Sequence, residues 1–136
     1  MPNCIFCKII AGEIPSEIVF QDDFAVAFLD IGPANPGHTL VVPREHSDNF
    51  SVMPDGANTQ KLFEAVRRVA AAACEATGAK GHNVIINTGA VAGQIVMHTH
   101  VHVIPRFPDD GHKHWGKMDI APAAIAKTAA EMRKLL

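Results

Sequence analysis

The chain has 136 residues, enough for one domain with a real core, and its plentiful aliphatics and modest charge mark a soluble globular protein. A formal net charge of −2 gives no reason to expect a nucleic-acid polymer or an anionic membrane as partner. No apolar run can span a bilayer, no basic segment followed by an apolar one opens the chain, and three cysteines build no disulfide framework, so a cytoplasmic location is expected.

The first segment is Cys4-Ile5-Phe6-Cys7-Lys8-Ile9-Ile10-Ala11-Gly12. One helical turn brings Cys4 and Cys7 side by side, and Gly12 would end it. A lone C-x-x-C can be half a zinc site, a redox pair or two small buried residues; redox fits worst, because no βαβ pattern surrounds it. Ile18-Val19-Phe20 and Phe24-Ala25-Val26-Ala27-Phe28 then flank the polar turn Gln21-Asp22-Asp23 as a hairpin. Asp30 to His38 holds two prolines and two glycines, the mark of an ordered loop. Thr39 to Pro43 is a third strand, with His38 entering it and His46 just beyond its end.

The segment from Thr59 to Thr77 is a long helix. Phe63, Val66, Ala70 and Cys74 form its apolar stripe, with Leu62, Val69 and Ala73 beside it, and Gly78 stops it. Asn83 to Asn87 is a fourth strand. The loop Thr88 to Gln94 leads into a fifth, His98-Thr99-His100-Val101-His102-Val103-Ile104-Pro105. A last helix is expected from about Pro122 to Leu136, on the stripe Ile125, Ala129, Met132 and Leu136. Consecutive short strands with segregated helices predict an α+β fold on a five-stranded antiparallel sheet. The chain is expected to be a single domain over 1–136, with its core at about 3–107 and an extension over 108–136.

The fifth strand carries the chemistry. Residues two apart on a strand face one side, so His98, His100 and His102 form a ridge, while Thr99, Val101 and Val103 pack on the other face. Three imidazoles are a poor core cover, because each ring nitrogen needs a partner when buried. A metal site is one reading, although Asp109 and Asp110 lie beyond two prolines and Asp30 sits in a loop. In the other reading one neutral imidazole attacks phosphorus, neighbouring histidines neutralise oxygens and protonate a leaving group, and N–H groups of the Gly89–Gly93 loop hold the phosphate.

At this point the residues carry a resemblance. His98 to Ile104, after Gly93-Gln94, resembles the H-x-H-x-H-x-x signature of the histidine triad (HIT) family. Cys4 to Ser16 resembles the opening of bacterial Hint-like members, and Phe28-Leu29-Asp30-Ile31 and His38 to Pro43 are similar to the family's nucleoside-side segments. The likeness covers roughly residues 3 to 107.

The resemblance implies a homodimer whose sheets join, binding a purine nucleotide or nucleotide conjugate. It implies hydrolysis of nucleoside 5′-phosphoramidates or related nucleotidyl compounds through a nucleotidyl-histidine. By motif position His100 is the nucleophile, the carbonyl of His98 orients it, and His38 and His102 complete the group. Asp30 matches the acid that receives the ribose hydroxyls. Ile9, Ile14, Phe28 and Ile31, with Phe6 and Leu40, match positions near the base, and Asn87, Gly93 and Gln94 match the phosphate side. Zinc-bearing relatives place ligands at positions matching Cys4, Cys7, His46 and His98, which implies a structural Zn2+; catalysis itself requires no added cation. Ile95 departs from the Ser or Thr of animal members, and His102 stands where related uridylyltransferases have Gln, which favours hydrolysis over transfer. A dinucleoside polyphosphate hydrolase, or a nucleotide-binding regulatory or scaffold protein with incidental turnover, fits the same residues.

Overall fold

In the computed structural model, which describes residues 3–136, five strands form one antiparallel sheet. They are β1 (Ile18–Gln21), β2 (Ala25–Leu29), β3 (Thr39–Pro43), β4 (Gly81–Ile86) and β5 (Val101–Arg106), in the order β1-β2-β3-β5-β4. The helices are α1 (Ile5–Ile10), α2 (Ala57–Thr77) and α3 (Pro122–Leu135). This is the α+β class expected, with the long helix and the C-terminal helix in place.

Alternation along the strands sends side chains to two different cores. Ala25, Ala27, Val41, Val101 and Val103 face α2, which buries Leu62, Ala65, Val66, Val69 and Ala70 against them. Val26, Phe28, Leu40 and Val42 face the other way and meet Phe6 and Ile9 of α1. Because both faces are covered, β3 is buried along its whole length. A helix of six residues is too short to cover its face, and the uncovered part becomes the candidate site.

Two close fits set the loops that carry polar residues. The β1–β2 turn falls on Asp22-Asp23-Phe24, one residue later than expected, because Asp22 Oδ1 accepts the N–H groups of Phe24 and Ala25, both at 2.8 Å. Gly37 has φ +84°, and a Cβ there would lie 2.9 Å from Thr77 Cγ2 and 3.1 Å from Pro105 Cγ. The loop before β3 can therefore lie flat against the end of α2 and the end of β5.

Several expectations are corrected. The fifth strand begins at Val101, so His98 and His100 lie in the chain just ahead of it and only His102 is paired, with Leu40 and Ile85. The fourth runs Gly81–Ile86, not Asn83 to Asn87, and the long helix begins at Ala57. Its buried stripe is turned toward Leu62 and Ala65; Phe63 is exposed and meets the edge of Phe50, with ring centroids 6.1 Å apart. Cys74 is half-buried, with Sγ 3.6 Å from both Gly81 O and His82 Nδ1. Proline at its start and alanine along it make α3 a helix. The expected stripe is nevertheless uncovered: Ile125, Met132 and Leu136 are exposed and Ala129 is half-buried. Among the described residues no helix is long and apolar enough to cross a membrane.

Leu62 is fully buried between α2 and the sheet. Leu62→Ala is expected to lower the unfolding free energy by about 2–5 kcal/mol in urea titration. Ile125→Ala on α3 should change it by no more than about 0.5 kcal/mol. Equal effects at the two positions would mean that α2 is not the helix that seals the core.

Candidate functional site

The chain ahead of β5 is tied to the loop after β3. Thr99 N–H donates to Ser47 O at 2.8 Å, and the hydroxyls of Ser47 and Thr99 share a hydrogen bond of 2.7 Å. This pairing sets His98 beside His46. From α1 come Cys7 and, at the N-cap, Cys4, whose sulfur accepts the N–H of Cys7 at 3.4 Å. The ligand atoms of Cys4, Cys7, His46 and His98 all lie within 4.8 Å of one another.

The outer hydrogen bonds decide what these four groups can hold. His98 Nε2–H donates to Pro43 O at 2.8 Å, and His46 Nε2–H donates to Asp48 Oδ1 at 3.0 Å. A neutral imidazole has one N–H, so both Nδ1 atoms carry lone pairs. Those lone pairs face each other at 3.1 Å. The sulfurs lie 3.4 Å (Cys4) and 3.5 Å (Cys7) from His98 Nδ1 and 3.4 Å (Cys7) from His46 Nδ1. Burial, aided by the neighbouring Cys4, pushes the Cys7 thiol up, and burial pulls the His98 imidazole down, so His98 stays neutral. Four electron-pair donors turned inward, with their far sides hydrogen-bonded, form a cluster that can hold a metal ion.

A second cluster has the same compactness and the opposite logic. Asp30, His38 and His102 also place their ligand atoms within 4.8 Å. Here Ala34 N–H donates to His38 Nδ1 at 2.9 Å, which puts the ring proton on Nε2. Nε2–H then donates to His102 Nδ1 at 2.9 Å, with Asp30 Oδ2 3.5 Å away. A proton satisfies this pair, and no cation is needed to bring the two rings together. The proton of His102 is left on Nε2, and His102 lines a pocket. Burial lowers the pKa of His38, against the pull of Asp30. Burial, then the His100 and His38 rings, bring His102 down to about 4.

His100 stands between the clusters. Its Nδ1–H donates to the main-chain oxygen of His98 at 2.7 Å, so Nε2 is bare. Phe6 meets the ring edge-on at 5.1 Å and His102 at 5.0 Å between centroids. The pocket above it encloses about 330 Å³ and is lined by Ile9, Ile14, Phe28, Asp30, Ile31, Asn87, Gly93, His100 and His102, with Phe6 and Leu40. Ile31 is 99% exposed at its mouth.

Gln94 stands apart from this lining. Its amide accepts Gly89 N–H at 2.9 Å and donates to Asp48 O at 2.6 Å and Val96 O at 3.0 Å, so it braces the glycine loop from within. Four groups at the site escaped the sequence reading. The H-x-D spacing of His46 and Asp48 was available as a signal; nothing in the sequence pointed to Pro43 O, to Asn35 or to a reach of Asp110 back to the site.

Comparison with known proteins places this geometry. The HIT domain family model matches residues 11–109. The adenosine 5′-monophosphoramidase hnt1 of Schizosaccharomyces pombe is 34% identical over 133 residues, spanning 96% of both chains. The crystal structure of a HIT family member from Bacillus subtilis superposes with a TM-score of 0.91 at 39% identity, covering 98% of this chain and 97% of that one. That of a zinc-bound histidine triad family protein from Mycobacterium smegmatis has a TM-score of 0.77 at 32% identity, over 96% of this chain and 98% of that one.

The depressed pKa of His102 has a thermodynamic sign. An unfolded histidine takes up its proton near pH 6.5, the folded one near 4. Between those values the unfolded chain binds more protons, so stability is full above pH 6.5 and falls as the pH drops toward 4. The imidazole carbon shifts of His102 in NMR should hold steady from pH 8 to about 5.5 and titrate with a midpoint near 4. A midpoint near 6.5 would mean that the ring is solvated and not paired with His38.

Proposed function

The chain belongs to the HIT domain family, and from that premise we propose that it is a nucleotide hydrolase cleaving nucleoside 5′-phosphoramidates or related nucleotidyl compounds. The observation that carries this reading is the bare Nε2 of His100 beside the Nε2–H of His102. One ring nitrogen is free to attack and the next ring holds a proton for the leaving group.

In the proposed reaction His100 Nε2 attacks the α-phosphorus, and the bond to the leaving nitrogen breaks. The bonding pair leaves with that nitrogen, which takes the proton from His102 Nε2. Water then attacks the nucleotidyl-histidine, its proton passing to His102 Nε2 as the bond from phosphorus to His100 Nε2 breaks, which restores both histidines and releases the nucleoside monophosphate. Asp30 receives the ribose hydroxyls, and Ile9, Ile14, Phe28 and Ile31 hold a purine with little selection. Asn87 and the N–H groups near Gly93 face the phosphate. Imidazoles and N–H groups supply the charge stabilisation, so no added cation is needed.

Cys4, Cys7, His46 and His98 would hold a structural zinc, supported by their inward lone pairs and by the zinc-bound relative. When bound, zinc would fasten α1 to the segment ahead of β5. We further infer a homodimer whose sheets join across the subunits, and a cytoplasmic location consistent with three free cysteines. One observation favours slow turnover, as in a nucleotide-binding regulatory protein: Ile95, which cannot donate a hydrogen bond, lines the pocket and is 89% exposed.

His100→Ala should abolish turnover of an adenosine phosphoramidate and leave AMP binding nearly unchanged, while rapid quench of the wild type with labelled substrate puts the label on His100. Label on any other residue would remove the assignment. Asp30→Ala should weaken ribonucleotides far more than their 2′,3′-dideoxy counterparts; equal losses would end the ribose role. Protein purified without chelator should hold about one zinc per chain, and its melting temperature should drop on chelation, because the binding energy of a closed site is folding energy.

A further inference from the structure

Asp110 lies one residue past the last residue matched by the family model and had no role as a metal ligand. Its carboxylate accepts five N–H groups. Arg106 donates Nε at 2.7 Å and Nη2 at 3.0 Å, Asn35 donates Nδ2 at 2.9 Å, and the main-chain N–H groups of Phe107 and His112 donate at 3.1 Å each. Arg106 also donates Nη1 to Asn83 Oδ1 on β4 at 2.8 Å, which anchors the ion pair to the sheet. The Asp110 side chain is only 7% exposed. A bidentate arginine pair on the sheet's end is a rigid acceptor.

Asn35 connects this acceptor to the histidines. Its amide donates to both Asp110 Oδ2 and Pro105 O, each at 2.9 Å. Its main-chain oxygen accepts His38 N–H at 3.1 Å, and the residue before it supplies the N–H that meets His38 Nδ1. His112 adds a strut, donating Nε2–H to Ala34 O at 2.9 Å. Pro33 and Pro36 have no N–H to hold the loop themselves. These side chains therefore add to the packing of Gly37 and to the main-chain bond from Asp30 N–H to His38 O in holding the loop.

We propose that Asp110, clamped by Arg106, is a positioning residue for the His38–His102 pair and acts through Asn35. The role rests on the hydrolase reading above, and its logic is one of tautomers. With Ala34 N–H on His38 Nδ1, the His38 proton stays on Nε2 and points at His102 Nδ1, so His102 keeps its proton on Nε2, facing the substrate. If the loop lifts, His38 can carry its proton on Nδ1. Its Nε2 then becomes an acceptor facing His102 Nδ1, and His102 must turn its own proton toward His38. The leaving group then meets a bare nitrogen and gets no proton.

Asn35→Ala tests this most cleanly, since it leaves the Arg106–Asp110 pair intact; Asp110→Asn is the second variant. Each is compared with wild type by steady-state kinetics on an adenosine phosphoramidate, by AMP binding, by nitrogen-15 NMR of the imidazoles and by amide hydrogen exchange. We expect kcat to fall by about tenfold or more with KM and AMP affinity changed by no more than about twofold. The Nδ1–H tautomer of His38, absent in wild type, should become detectable, and the Ala34 amide should exchange faster. If Asp110→Asn fails to fold, Asn35→Ala decides alone. Unchanged tautomers and Ala34 exchange in Asn35→Ala overturn the proposal whatever the activity, and so does wild-type kcat alongside altered tautomers. Should the wild type turn over no phosphoramidate, the hydrolase reading fails, while the NMR and exchange arms still decide whether Asn35 sets the tautomers.

Discussion

His98 is fully buried, and a buried imidazole needs a partner on each ring nitrogen. Its Nε2–H goes to Pro43 O, its Nδ1 to the sulfurs and to His46, its main-chain oxygen to His100, and its main-chain N–H to Val96 O at 2.9 Å. Neither ring nitrogen can be released without disturbing β3 or the cysteines, and the main-chain oxygen cannot be released without freeing His100. The ring is fixed by β3 and α1, and the fixed ring in turn holds still the carbonyl that sets the His100 tautomer. The bare nitrogen of His100 thus depends remotely on a carbonyl of β3 and on two cysteines, one at the N-cap of a six-residue helix and one within it.

The two imidazole clusters show how little distance alone says. Both bring three or four ligand atoms within 4.8 Å. In one, every far nitrogen already donates outward, so the near nitrogens are lone pairs that repel unless something positive lies between them. In the other, an N–H from Ala34 enters the chain of rings at one end and pushes each proton one place along. The identity of the outermost partner, an acceptor in one case and a donor in the other, decides which cluster suits a cation.

Much of this was legible in the chain. Strand alternation placed Val101 and Val103 opposite the histidines, and they do pack under α2 while His100 and His102 face the pocket. Spacing pairs Cys4 with Cys7, the family likeness adds His46 and His98, and the four residues do converge. What was not legible shares a physical cause. Periodicity gives the angle of an apolar stripe but not what covers it, so the stripes that hold Phe63 and Ile125 leave both residues exposed. The link from Asn35 to Asp110 spans 75 positions and joins an amide to a carboxylate, a pairing with no repeat and no motif. His98 and His100 were read as strand because β-branched neighbours favour one, yet their backbone is held by Ser47 and not by a ladder.

Gly37 shows what such tight joining does to the freedom of the sequence to change. A methyl group at 37 would collide with a β-branched side chain on the helix and a proline ring on the strand, at a backbone angle that L-residues rarely adopt. Neither neighbour has a flexible tip that could swing aside. The loop itself would have to give, and it carries both Asn35 and His38. A substitution here acts on the placement of an imidazole as well as on the packing of the chain. The exposed surface of α3 leaves room for many side chains, while this one position, bearing none, leaves room for no other residue without moving an imidazole.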